Sequence, residues 1–166
     1  FQTSNLFLGL SVRENVRLAA QAALGRAISP FRFPRAADAA TRAAEERIDQ
    51  VGLARQAGTI AGGLSHGDKR KLEIAMLLAA DPRVILLDEP MAGVGSGDVP
   101  ALVELIRRVH REGGRTVLMV EHHMDVVLGL VDRVAVMHHG RLLACDVPEA
   151  VMADPTVQSA YLGEPV

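Results

Sequence analysis

A short apolar run followed directly by two carboxylates constrains the fold of this 166-residue chain more than any other feature. Residues 84–87 read Val-Ile-Leu-Leu, and Asp88 and Glu89 come next. A continuous apolar run of this length is typical of a strand that is buried on both faces of a parallel sheet. Because open α/β sheets bind ligands beyond the carboxyl ends of their strands, the pattern predicts an α/β fold with Asp88 and Glu89 at a ligand site.

Helical patterns precede this strand. Residues 11–14, Ser-Val-Arg-Glu, have the form of a capping box, and the apolar spacing that follows predicts a helix to about Leu24. A second helix is expected over residues 36–51, and a third from Ser65 to about Ala80, where Asp81-Pro82 would end it. These segments indicate a helical subdomain over residues 1–82.

The remainder, residues 83–166, is predicted to form an α/β lobe with a mainly parallel, partial sheet flanked by helices. Residues 116–120, Thr-Val-Leu-Met-Val, predict a second buried strand. His138-His-Gly140 lies between two apolar segments and predicts a tight turn that joins two strands. Helices are expected over residues 99–111, 124–130, 148–152 and 156–161.

Composition excludes several classes of partner. Eighteen Lys and Arg residues against twenty Asp and Glu give a formal net charge of −2, which does not favour nucleic acid or an anionic membrane. Apolar stretches such as residues 75–80 fall far short of the roughly 20 residues that cross a bilayer, so a membrane role would be peripheral. Cys145 is the single cysteine, which excludes a disulfide framework and fits a reducing cytoplasm.

The Asp88-Glu89 pair follows a hydrophobic strand in the manner of a Walker B motif. In such a motif Asp88 can hold Mg²⁺, partly through water, while Glu89 polarises the water that attacks a γ-phosphate. An acidic strand-to-loop turn without catalytic function explains the same residues.

Residues 64–68, Leu-Ser-His-Gly-Asp, open the third predicted helix. A capping box formed by Ser65 and Asp68 is a purely structural explanation. The free N–H groups of a helix start also bind anions, and Gly67 would let a phosphate approach closely.

Two further residues are candidates for the same chemistry. His122 follows the second predicted strand, where it can hydrogen-bond the γ-phosphate and the attacking water. Gln2 can coordinate Mg²⁺ or orient water through its amide oxygen. Each residue alone is as well explained by an ordinary polar position.

The order of these motifs closely resembles the nucleotide-binding domain of ABC transporters. Gln2 matches the Q-loop, residues 65–68 the signature motif, Asp88 and Glu89 the Walker B pair, and His122 the switch histidine. Within that family the chain looks most like the ATPase subunits of branched-chain amino-acid importers and their urea or amide relatives. That similarity rests on residues 72–75, 92–93, 120–124 and 161–164.

The resemblance implies a P-loop NTPase fold of the ABC type in which two domains sandwich two ATP molecules with Mg²⁺. It implies catalytic roles for Glu89 and His122 and Mg²⁺ binding by Gln2 and Asp88. Nucleotide-binding roles are implied for Gln2, Ser65, His66, Gly67, Asp68 and Asp88. The expected partners are a transmembrane permease and a second ATPase subunit, at the cytoplasmic face of a bacterial inner membrane.

Departures from the family pattern qualify this expectation. The 166 residues contain no Gly-x-x-x-x-Gly-Lys-Ser/Thr phosphate loop, which the family places upstream of the Q-loop. The sequence therefore predicts a truncated domain, inactive alone, with exposed sheet edges, marginal stability and a tendency to associate. His66 and Asp68 replace the usual Gly and Gln of the signature motif. The alternatives are a repair or translation ATPase of the ABC type and a degenerate, non-catalytic binding module.

Overall fold

Helices and strands follow one another along the residues that the computed structural model describes, which are 6–25 and 39–162. The elements are α1 (Val12–Ala23), α2 (Ala39–Gln50), α3 (His66–Ala79), β1 (Val84–Asp88), α4 (Val99–Gly113), β2 (Thr116–Val120), α5 (Met124–Leu130), β3 (Val134–His138), β4 (Arg141–Asp146), α6 (Pro148–Ala153) and α7 (Pro155–Leu162). Two 3₁₀ turns, Ala54–Gln56 and Ala61–Gly63, connect α2 to α3. Within the described ranges, no helix combines the length and the apolar character that a membrane span requires.

The chain forms two compact units that divide after Val120. The first contains α1 to α4 with β1 and β2, and the second contains α5 to α7 with β3 and β4. The functional division expected between residues 82 and 83 stays a prediction.

Side-chain caps start two of the helices in the first unit. The backbone N–H of Glu14 donates to the hydroxyl of Ser11 at 3.2 Å, and the N–H of Asp68 donates to the hydroxyl of Ser65 at 3.1 Å. Each bond satisfies a backbone donor that a helix start otherwise leaves without a partner. The predicted starts of α1 and α3 are therefore confirmed.

The core of the first unit lies where α1, α2 and α3 pack together. Its fully buried side chains come from all three helices and include Val12, Val16, Ile48, Leu72 and Leu78. These positions recur at the spacing of one helix face, which is why the helical segments could be recognised from the sequence.

Strands β1 and β2 pair in parallel, with Val84 opposite Thr116 and Asp88 opposite Val120. Ile85 on one face of this sheet is buried, and together with Val117 it borders the same small void as Ile106 and Val109 of α4. The predicted parallel sheet is confirmed for these two strands, and their pairing places both carboxyl ends side by side.

The expectation that residues 84–87 are buried on both faces of the sheet is wrong. Leu86 is 69% exposed, and Leu118 and Val120 on β2 are about as open, at 59% and 60%. Among the described residues no element covers this face, and a groove of about 630 Å³ runs between it and α3. An apolar run shows that a strand is suited to burial, but the neighbouring elements decide whether it is buried.

The second unit is built around a β-hairpin. β3 and β4 pair antiparallel, and the turn between them places His139 at φ 45° and Gly140 at φ 76°. Consecutive positive φ angles are the geometry of a two-residue hairpin turn, so the predicted tight turn is confirmed. Val134 of β3, Val151 of α6 and Val157 of α7 form a small apolar core beside it.

Candidate functional site

The start of α3 presents polar groups in a defined arrangement. Ser65 and His66 are exposed, whereas Gly67 is buried and Asp68 is half-buried. The carboxylate of Asp68 accepts a hydrogen bond from the Lys71 ammonium at 3.0 Å. Its negative charge is thus compensated within α3, which lessens its repulsion of an anion at the helix start.

Gly67 has no room for a side chain. A Cβ atom built at Gly67 would lie 2.8 Å from Oδ2 of Asp98 and 3.0 Å from Cβ of Asp98. Asp98 is the residue before α4, and its side chain makes no hydrogen bond to the start of α4. Its carboxylate instead lies against the start of α3, where a negative charge is favoured by the helix dipole.

The loop between β1 and α4 therefore packs on the start of α3 at two points. Asp98 forms one contact at Gly67, and the second lies at Gly93, whose φ is 73°. A Cβ built at Gly93 would lie 3.9 Å from Nδ1 of His66. The structure thereby brings the segment that follows Asp88 and Glu89 together with residues 66 and 67.

Asp88 and Glu89 lie at the carboxyl end of β1. Asp88 is exposed and borders the groove beside the sheet, and Glu89 is half-buried. The backbone N–H of Glu89 donates to the carbonyl of Val120 at 2.9 Å, so the parallel ladder extends one residue beyond β1. The two carboxylates thus follow the strand at the edge where α/β sheets bind ligands.

Glu89 adopts a left-handed backbone conformation, with φ 43°. For a residue other than glycine this costs on the order of 1–2 kcal/mol, and such strain is concentrated at functional sites. Its carbonyl accepts a hydrogen bond from the N–H of Ala92 at 3.0 Å, which closes a tight turn. The turn sets the direction of the Glu89 side chain independently of the strand's alternation.

His122 belongs to the second unit, where it stands between Glu121 and His123. The side chain of Glu121 is 0% exposed, and its Oε2 accepts hydrogen bonds from the backbone N–H groups of His122 at 3.1 Å and His123 at 3.4 Å. The imidazole of His122 is 65% exposed. Glu121 thus anchors a loop that presents the His122 ring to solvent.

The Mg²⁺ site expected from the resemblance draws on Asp88 and Gln2. Asp88 offers an exposed carboxylate at a strand end, which is the hard oxygen donor that Mg²⁺ prefers. Gln2 lies outside the described residues. The described donor fits the ion, and the contribution of Gln2 stays a prediction.

Asp98 and Glu121 are the site residues to which the sequence assigned no role. Asp98 stands two residues before Pro100 at the start of a helix, a position typical of a cap, but only the packing shows it against Gly67. Glu121 was part of a motif without a role of its own, and its burial could not be read from the sequence.

Two family models match separate parts of the chain. Residues 1–92 match the family described as ABC transporter. Residues 141–166 match a family described as branched-chain amino acid ATP-binding cassette transporter.

Curated relatives and solved structures show the same similarity. Over 170 residues the chain is 36% identical to the high-affinity branched-chain amino acid transport ATP-binding protein LivG of Escherichia coli strain K12, which covers 99% of this chain and 66% of LivG. The corresponding protein BraF of Pseudomonas aeruginosa is 35% identical, with the same coverage of 99% and 66%. The chain thus spans 66% of the length of these relatives.

Among solved structures, the ADP conformation of MJ1267, an ATP-binding cassette of an ABC transporter, superposes with a TM-score of 0.79 and 27% identity, over 99% of this chain and 67% of that chain. A nucleotide-free cassette from an ABC transporter gives a TM-score of 0.77 and 26% identity, over 99% and 67%. These neighbours confirm the predicted fold class.

Proposed function

The chain belongs to the ABC transporter ATP-binding family, with which more than half of its length matches, and on this premise we propose that it is part of the ATP-hydrolysing subunit of an importer. The solutes we propose are branched-chain amino acids or related small molecules, because LivG and BraF carry that description and residues 141–166 match the corresponding family.

The observation that carries this proposal is the placement of Asp88 and Glu89. Both carboxylates stand at the carboxyl end of a parallel strand, and the loop that follows them packs on the start of α3. A catalytic pair and an anion-binding helix start are two of the elements that phosphate hydrolysis between paired domains requires.

In the proposed mechanism Glu89 orients and polarises the attacking water, and His122 donates a hydrogen bond to the γ-phosphate. Ser65 and Gly67 reach the γ-phosphate of the nucleotide held by the opposite subunit, and His66 and Asp68 belong to the same nucleotide-binding motif. Asp88 and Gln2 would hold Mg²⁺, which when bound neutralises phosphate charge.

Asp98 bears directly on phosphate binding at the start of α3. Its carboxylate now lies against Gly67, so an incoming phosphate must displace it. Asp98 is exposed, and its side chain can rotate into solvent without disturbing the core. Gly67 then leaves the backbone N–H groups accessible to the phosphate oxygens.

The proposed partners are a transmembrane permease and a second ATPase subunit. Each ATP would be bound between two subunits, since Ser65 and Gly67 would act across the interface. The permease would hold the complex at the cytoplasmic face of a bacterial inner membrane, in a peripheral position.

The experiment joins this chain to the upstream third of LivG, which we expect to supply the phosphate loop, and measures ATP binding and hydrolysis. Glu89→Gln should lower kcat by at least about 100-fold, because a positioned base contributes that much, while ATP binding is retained. The matched control is Glu112→Gln at an exposed position near the end of α4, which should leave both unchanged. Unchanged turnover in Glu89→Gln would remove Glu89 from its proposed role.

A further inference from the structure

Three potential metal ligands converge in the loop between β2 and α5. Oε2 of Glu121 lies 3.0 Å from Nδ1 of His123 and 3.9 Å from Nδ1 of His122. One ligand atom from each of the three residues lies within 4.8 Å of the other two. In the described part of the chain, this is the group of His, Cys, Asp and Glu side chains that meets this criterion.

The separations suit a small divalent ion. Zn²⁺ bonds to imidazole nitrogen and carboxylate oxygen at about 2.0–2.1 Å, so neighbouring ligands of a tetrahedral ion lie roughly 3.3 Å apart. The observed separations of 3.0 Å and 3.9 Å fall on either side of that value. Small rotations of the two imidazoles are therefore enough to form the site.

Burial and exposure are arranged as an ion-binding loop requires. The Glu121 carboxylate is 0% exposed and fixed by two backbone N–H groups, so its position is set before an ion arrives. The His122 and His123 side chains are 65% and 51% exposed, which leaves room for water on the open side. Two imidazoles, one carboxylate and open positions favour first-row transition ions over Mg²⁺.

We propose that Glu121, His122 and His123 form a binding site for a divalent transition-metal ion of the Zn²⁺ class. On binding, the proton on Nδ1 of the neutral His123 ring moves through solvent to Nε2, so the ring stays neutral and the Nδ1 lone pair bonds to the ion. All three ligands lie in one loop of this chain, and the site shares His122 with the proposed ATPase function. Glu121 and His123 are therefore the residues that test the metal site separately.

The chain contains a matched control for two adjacent histidines. His138 and His139 have ring centroids 4.1 Å apart, close to the 4.3 Å between the rings of His122 and His123. The His138–His139 pair is not in a described group of three ligands. Asparagine tolerates the positive φ of His139, so His138→Asn/His139→Asn preserves the hairpin turn.

The experiment titrates Zn²⁺ into the chain in competition with a chromophoric chelator, with Cys145→Ser in every protein to remove the exposed thiol. We expect one ion per chain, and a loss of affinity of at least about 10-fold in Glu121→Gln and in His123→Asn. The His138→Asn/His139→Asn protein should bind as tightly as the parent. Circular dichroism reports whether each variant is folded. If the protein with Glu121→Gln unfolds because this side chain is buried, the His123→Asn protein still tests the proposal.

Co²⁺ provides a second readout, because its visible absorption band reports nitrogen and oxygen ligation directly. The band should appear with the parent protein and be lost in His123→Asn. The proposal would be overturned if the parent did not bind Zn²⁺ or if His123→Asn bound it as tightly as the parent. Loss of Zn²⁺ binding in the His138→Asn/His139→Asn control would also overturn it.

Discussion

Replacing Asn15 with aspartate exchanges one amide nitrogen for a charged oxygen at a fully buried position and should strongly destabilise the first unit. Oδ1 of Asn15 accepts a hydrogen bond from the N–H of Phe7 at 2.8 Å. Nδ2 donates to the carbonyls of Phe7 at 3.1 Å and Ser11 at 3.0 Å, with Leu10 at 3.4 Å. The side chain thereby fixes residues 7–11 against α1, and it is 0% exposed.

The size of this destabilisation follows from the hydrogen bonds that the Asn15 side chain loses. In Asn15→Asp, the Phe7 N–H keeps its acceptor, but a carboxylate oxygen faces three carbonyl oxygens in place of a donor. Those carbonyls retain other donors, namely the N–H groups of Leu10, Asn15 and Ala61. The cost is therefore the loss of about two hydrogen bonds, at ~1 kcal/mol each, plus the desolvation of a buried charge, giving about 4 kcal/mol at neutral pH.

The destabilisation by Asn15→Asp should become smaller as the pH falls. Burial raises the folded-state pKa of the introduced carboxyl above its unfolded value. The folded state then binds more protons between the two pKa values, so the penalty is fully present above the folded pKa and shrinks as pH falls. Asn15→Ala introduces no titrating group, and its penalty of about 3 kcal/mol should stay constant with pH.

Urea unfolding followed by circular dichroism, at about pH 7 and about pH 5, measures both variants against the parent chain at each pH. The control is Gln50→Glu, the same amide-to-carboxylate change where Gln50 accepts from Arg47 at 3.0 Å, which should shift the free energy of unfolding by no more than about 0.5 kcal/mol. A penalty for Asn15→Asp below about 1 kcal/mol, or one that grows as pH falls, would refute the reasoning.

Two further pairs of substitutions test the hairpin and the open sheet face. Gly140→Ala should lower the free energy of unfolding in urea by about 1–2 kcal/mol, because Gly140 has φ 76°. Gly129→Ala in α5, where a Cβ meets nothing within 4 Å, should raise it by up to about 1 kcal/mol. Equal effects of the two substitutions would contradict this prediction. The chain should self-associate through the open face of β1 and β2, so Leu86→Thr should reduce association in sedimentation velocity with little loss of stability. Ile85→Thr, on the buried face, should instead destabilise by about 2 kcal/mol or more, and unchanged association in Leu86→Thr would exclude that face as the contact.

Predictions that rest on local physics agree with the structure. A helix cap depends on one side chain and the backbone three residues later, and Ser11 and Ser65 both make the expected bond. The turn at Gly140 needs only two residues with positive φ between two strands. The pairing of β1 with β2 followed from two apolar runs of strand length separated by a helix.

Predictions that depend on how neighbouring elements pack agree less well with the structure. Leu86 belongs to the same apolar run as Ile85, yet one is 69% exposed and the other 4%. The alternation of side chains puts them on opposite faces, and only the packing of α4 decides which face is covered. The roles assigned to Gln2 and His122 stay predictions, since Gln2 lies outside the described residues and the other nucleotide-facing groups lie in the first unit.

The sequence by itself determined the caps and the turn, because each is encoded by residues close together in the chain. It also determined the order of the elements and the family, through short motifs whose order along the chain is itself part of the sequence. Tertiary structure alone decided that Asp98 lies against Gly67, that Glu89 takes a left-handed backbone, and that the side chain of Glu121 is buried. Backbone conformation at a turn and side-chain burial are set by the balance of contacts from elements distant in sequence, and no single segment carries that balance.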